Sequence, residues 1–164
     1  MSFFNPCIGI LALFFLTGCV NRTDPKAVTN LDTQDKQEIK DMLSRYYADM
    51  SRRDWKKYRG YFWDSATITT VWQKPGDLAA KVNIITIDEF IRETPFGPDS
   101  KPIFQEIMTG ADISVRNDLA IAWADYEAKF GTNDSLAVWK GKDLFSIMRH
   151  LGEWKIVALS FERE

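Results

Sequence analysis

Cysteine is nearly absent from this chain. Two of its 164 residues are cysteine, Cys7 and Cys19, and both fall in the first segment. The rest of the sequence therefore has no disulfide framework and no thiolate metal site. Histidine is scarcer still. His150 stands alone, in the turn-like stretch His150-Leu151-Gly152-Glu153, which puts it in solvent. No His/Cys cluster has metal-ligand spacing, so no metal is expected. No Gly-rich phosphate loop and no nucleophile elbow occur, and Gly131-Thr132-Asn133-Asp134 is turn chemistry. No cofactor is expected. Lys/Arg runs are also missing: basic residues mix with acidic ones and the formal charge is −2. That balance argues against nucleic acid as a partner. No apolar run reaches the roughly 20 residues of a membrane-spanning helix.

Apolar residues make up 45% of the chain and aromatics 13%, enough for one compact domain whose rings must fill a core, line a pocket, or both. Ile8 to Phe15 is a short apolar run with the length of a signal-peptide core. It ends in Leu16-Thr17-Gly18-Cys19, which resembles the lipobox of bacterial lipoproteins. The resemblance implies a leader over residues 1–18, a lipid on Cys19, and a membrane-anchored place in the bacterial cell envelope, facing the periplasm. Met1 to Pro6 departs from the pattern in carrying no Lys or Arg. Val20, not Asp, follows the cysteine, so no inner-membrane retention signal is evident. Asn21 to Asp32 is polar, contains Pro25 and has no periodicity. It reads as a flexible tether, leaving residues 33–164 as the folded domain.

Ile39, Met42, Leu43, Tyr46, Tyr47 and Met50 recur at helical spacing and predict an amphipathic helix from Gln34 to Ser51. Asp54 can cap a second, short helix through Trp55, Tyr58 and Phe62. Ala66 to Trp72 reads as a strand, and Lys74 to Lys81, with Pro75-Gly76, as a loop. Thr86-Ile87-Asp88-Glu89 is a capping box that opens a third helix, ending near Thr94 before Pro95. Four long segments follow: Phe104–Val115, Leu119–Phe130, Ala137–Arg149 and Trp154–Phe161. Turn residues punctuate the first pair and the last. The expected class is α+β, with three N-terminal helices packed on a curved, mainly antiparallel sheet.

This order, with Phe62-Trp63-Asp64-Ser65-Ala66-Thr67, Ala122-Trp123-Ala124-Asp125-Tyr126-Glu127, Gly141-Lys142-Asp143-Leu144-Phe145 and Gly152-Glu153-Trp154-Lys155-Ile156, resembles the nuclear transport factor 2-like superfamily. The resemblance runs from Gln34 to the C-terminus and implies a cone whose sheet wraps around helices and encloses a pocket. It looks most like uncharacterised bacterial members of SnoaL-like type. The superfamily mixes enzymes with binding domains, so fold does not settle function. Compared with ketosteroid isomerase, Tyr46 falls at the oxyanion-hole tyrosine and Asp143 at the protonated aspartic acid, which would make these two the catalytic pair. The general-base position is Thr70, whose hydroxyl cannot shuttle protons near neutral pH.

The expected ligand pocket comprises Tyr46, Trp55, Thr70, Tyr126, Asp143, Phe145 and Phe161. Three of them also have a plainer reading: Tyr46 and Tyr126 as core tyrosines, Asp143 as an exposed strand residue. Glu106 could act as an acid or base if buried, but an ion pair with a neighbouring-strand Lys or Arg is the simpler expectation. Val157, Leu159 and Phe161 oppose Trp154, Ile156 and Ala158, an apolar pattern on both faces that suggests a homodimer partner. The missing base and the absence of a pocket histidine favour a membrane-anchored, non-catalytic small-molecule-binding or accessory domain for a small apolar ligand. The alternatives are an isomerase-, cyclase- or dehydratase-like enzyme and an envelope protein-interaction module.

Overall fold

The computed structural model describes residues 25–73 and 78–164. The lipobox and Cys19 lie outside the described residues. The chain opens with helix α1, Pro25–Ser51, then the short α2, Trp55–Arg59. Strands β1, Phe62–Trp72, and β2, Lys81–Thr86, precede helix α3, Ile87–Glu93, and one 3-10 turn, Thr94–Phe96. Four strands complete it: β3, Ile103–Arg116; β4, Leu119–Gly131; β5, Leu136–His150; and β6, Glu153–Arg163. All six form one sheet in the order β2-β1-β6-β5-β4-β3. Every neighbouring pair is antiparallel except β1 and β6, which run parallel.

Three expectations need correction. First, the helices are not an N-terminal block of three, because two strands separate α2 from α3. The missed strand, β2, is a six-residue edge strand with Val82 and Ile84 in solvent. So short a segment gives little period-2 signal beside Pro75-Gly76 and the capping box. Phe62 likewise begins β1 and does not extend α2. Second, residues 25–32, expected as tether, are the start of α1. Proline suits the first helical position because its missing N–H has no partner to lose there. Third, β6 is not apolar on both faces. A bulge leaves Val157 without a cross-strand partner between the pairs Ile147↔Ile156 and Ser146↔Ala158. An extra residue reverses the alternation. Trp154 and Ile156 before it, and Leu159 after it, therefore all turn into the core.

The core forms where the pattern says. Ile39, Met42, Leu43, Tyr46, Tyr47 and Met50 are all buried on α1. α1 lies against β3. Arg53, with φ 59°, ends α1, and Asp54 accepts the Lys57 N–H to start α2. Thr86 closes β2 and caps α3 through the capping box with Glu89. On β4 the alternation is complete: Ala120, Ala122, Ala124, Tyr126 and Ala128 face inward. Those alanines leave room above the sheet for α1 and for empty space. The β5–β6 hairpin turns on Leu151-Gly152, both at positive φ, as a two-residue turn with matching twist requires. A Cβ at Gly141 would sit 2.3 Å from the Tyr126 hydroxyl, so glycine lets that ring lie flat across β5.

Candidate functional site

The helices and the concave sheet face enclose a cavity of about 820 Å³. Its walls are largely aromatic. Tyr46 comes from α1, Tyr58 from α2 and Phe90 from α3. Phe104, Tyr126, Phe130, Trp139 and Phe161 come from β3 to β6. The loop after α3, Phe96 to Pro98, forms one end, and Phe96 there is 84% exposed.

Of the seven residues expected in the pocket, the cavity brings together Tyr46, Thr70, Tyr126, Asp143 and Phe161. Trp55 and Phe145 are not among its lining. Trp55 packs edge-on against Tyr58 and Phe90 and donates its indole N–H to Asp99 at 2.9 Å. Phe145 is fully buried under Tyr46, with ring centroids 5.3 Å apart. It is core, because Asp143, two residues earlier on the same face, already occupies the wall position.

Asp143 is 3% exposed, which overturns the exposed-strand reading. Its carboxyl accepts a hydrogen bond from the hydroxyl of Tyr47. Tyr46, the expected partner in chemistry, instead meets the Tyr58 hydroxyl at 3.1 Å. The two neighbours on α1 thus divide the work: one ring faces the cavity, and the next reaches the aspartate from the far side. Tyr126 also satisfies itself internally, donating to the Glu162 carbonyl at 3.2 Å while its ring lines the cavity. Burial raises the Tyr46, Tyr47, Tyr58 and Tyr126 hydroxyls above the usual phenol value, so all stay protonated donors near neutral pH.

Glu106 does not form the expected ion pair. Its cross-strand neighbour is Ala128, and no cation pairs with its carboxyl among the described residues. Ser51 at the end of α1 fixes its backbone, donating to the Glu106 carbonyl and accepting from its N–H, each at 2.8 Å. The side chain lines the main cavity and also a second one of about 420 Å³ between α1 and β3, where Ser44, Tyr47, Ser51 and Arg52 contribute. Desolvation, and then the charge of Asp143, push the Glu106 carboxyl up to about 8. Desolvation raises Asp143 to about 7, partly offset by the hydrogen bond from Tyr47. The site is therefore an aromatic chamber holding two carboxyls that titrate near neutrality.

Sequence reasoning named Glu106 but passed over Tyr47 and Tyr58. Tyr47 could have been found as the second aromatic of an adjacent pair on a buried stripe, about 100° around the helix from Tyr46. His150 is exposed, edge-on to Trp63 at the outer end of β5, away from the chamber. Among the described residues no group of three or more His, Cys, Asp or Glu is placed to hold a metal ion.

No curated protein matches the chain. Solved structures do. A protein of unknown function from Mycobacterium tuberculosis superposes with a TM-score of 0.67 at 14% identity, covering 88% of this chain and 78% of that one. A nuclear transport factor 2-like protein with a cystatin-like fold from Novosphingobium aromaticivorans gives 0.65 at 16% identity, covering 88% and 90%. A protein from the same organism described as a "putative scytalone dehydratase" gives 0.66 at 13% identity, covering 84% and 88%. These likenesses establish the nuclear transport factor 2-like α+β cone with its curved, mixed sheet. The model of one family matches residues 34–162, nearly the whole described domain. The chain belongs to that family, described as "putative lumazine-binding".

Proposed function

We propose that this domain is a non-catalytic module that binds a small, flat, largely apolar molecule inside the cone. The observation that carries the reading is the chamber of about 820 Å³ walled by rings from every surrounding layer. Such concavities with few polar groups are the usual ligand sites. The family description adds lumazine as the first probe. Calorimetric titration of a panel of lumazine and other flat aromatics, neutral and cationic, should give saturable binding for at least one member. Thr70→Trp, which projects an indole from β1 into the chamber, should abolish it while leaving the far-ultraviolet dichroism unchanged. If no member of the panel binds, the reading fails.

A second reading, an isomerase-, cyclase- or dehydratase-like enzyme on a small apolar substrate, is favoured by Glu106 and Asp143. Two carboxyls whose proton affinities lie near neutrality can serve as acid and base. In that case Glu106 supplies the base that Thr70 lacks, and turnover that survives Glu106→Gln would sink the idea.

The anchoring part of the proposal rests on Leu16-Thr17-Gly18-Cys19. A lipid on Cys19 would hold the domain at the bacterial envelope membrane, and Cys19→Ala should release it to the soluble fraction. A homodimer, or an interaction partner, would use the outer face of β4, where Leu119, Ile121 and Trp123 are about half-exposed.

A further inference from the structure

The chamber contains an electrostatic imbalance. Glu106 and Asp143 both line it, from β3 and β5, and no basic side chain bonds to either carboxyl among the described residues. Arg163 also lines the chamber, but its guanidinium lies over the Trp139 ring at 4.6 Å. Arg52, in the rear groove, is paired with Asp49. Asp143 is buried and Glu106 half-buried, and a carboxylate withdrawn from water without a counter-charge is costly. Protonation relieves that cost, which is why both carboxyls are pushed up. A ligand can relieve it by bringing a positive charge. The walls suit such a guest, since ring faces carry negative potential and attract cations. Tyr46, Tyr58, Phe104, Phe130 and Trp139 surround the same space.

We propose that the chamber selects a hydrophobic organic cation, an amine or quaternary ammonium, whose charge is neutralised by the Glu106 and Asp143 carboxyls while its apolar body rests on the rings. The inference builds on the binding reading above and specifies the charge of the ligand. A bare metal ion is a poor alternative, because two carboxyls without a third ligand make an incomplete set among the described residues.

The proposal carries a pH dependence. The groups facing the two carboxyls are Tyr46 and Tyr47 of α1, Tyr58 of α2 and Tyr126 of β4, with Arg52 in the rear groove and Glu93 and Arg163 on the chamber wall. The tyrosines stay neutral over the range concerned, since burial raises each of them. Glu106 at about 8 and Asp143 at about 7 are mostly protonated at pH 6. Binding a cation then releases a proton, and the rear groove gives Glu106 a path to solvent. Affinity for a cation must therefore rise with pH.

The probes are benzyltrimethylammonium, whose charge is fixed, and neopentylbenzene, its uncharged isostere. Calorimetric titration of the full chain at pH 8 should show the cation binding at least about tenfold tighter than the isostere. Between pH 6 and pH 8 the affinity for the cation should rise by about tenfold or more, and that for the isostere should stay level. Glu106→Gln with Asp143→Asn should remove the preference for charge and keep the binding of neopentylbenzene. The pH series on the unaltered protein decides the matter even if those variants fold poorly. Equal binding of both probes, without pH dependence, would overturn the cation proposal and leave the binding chamber standing. Failure of both probes to bind would overturn the cation proposal and count against the chamber reading as well.

Discussion

Replacing Phe145 with alanine should lower the unfolding free energy by about 3–5 kcal/mol, enough to remove much of the stability of a domain this size. Phe145 has no exposed surface and packs under Tyr46 and Tyr47, with ring centroids at 5.3 and 6.4 Å. Its removal forfeits burial and leaves a hole beneath α1 that the rigid sheet cannot close. Phe161→Ala provides the contrast. That ring lines the chamber and already borders empty space on one side, so fewer contacts are lost, and the cost should be about 1–2 kcal/mol. Urea unfolding of both variants measures the difference. Equal costs would mean that Phe161 is as tightly packed as Phe145 and that the chamber is filled.

The second large effect is on pH. Glu106 and Asp143 have folded-state proton affinities raised from the ordinary carboxyl values of 4.5 and 3.8 to about 8 and about 7. Between those limits the native state keeps protons that the unfolded chain has lost. Stability from these two groups is therefore fully present below about pH 4 and falls progressively until pH has passed through 7 and 8. Each tenfold displacement is worth about 1.4 kcal/mol, so the pair should cost several kcal/mol between pH 4 and pH 9. At the acid end, Asp54 and Glu89 act in the opposite sense. Hydrogen bonds at the helix starts lower both, so their contribution is present above about pH 4 and is lost as pH falls below it. The stability maximum should lie near pH 5. Denaturant midpoints at pH 5, 7 and 9 test this. Glu106→Gln and Asp143→Asn should each flatten the decline, with midpoints above the parent at pH 9. A stability profile that rises from pH 5 to pH 8 would show both carboxyls ionised and solvated.

Much of this architecture was legible because local chemistry agreed with the final packing. The α1 stripe, the Thr86–Glu89 capping box and the strict alternation of β4 each specify one structure, and each is found. Legibility failed where a single residue changes phase or where length is short. Val157 adds one residue to β6, and no composition marks it as a bulge. β2 has six residues at a sheet edge, with Val82 and Ile84 in solvent, so burial gives it no signature.

The site was read in the same uneven way. Positions along one strand, such as Tyr126 or Asp143, follow from alternation. Which neighbour meets them across the cone does not. Tyr47 reaches Asp143 across 96 positions of sequence, and no local pattern encodes that meeting. Glu106 was judged by what lies beside it on a generic strand, where a cation is common. In this sheet the neighbouring position holds Ala128, a buried alanine of the inward-facing row on β4.

Carbon-13 NMR of the side-chain carboxyls, followed from pH 3 to pH 10, tests the central claim most directly. Glu106 and Asp143 should titrate near 8 and near 7, far from the exposed carboxylates of the same chain. If both instead titrate at about 4, as exposed carboxyls do, they are hydrated or paired, and the chamber does not hold two carboxyls without counter-charge.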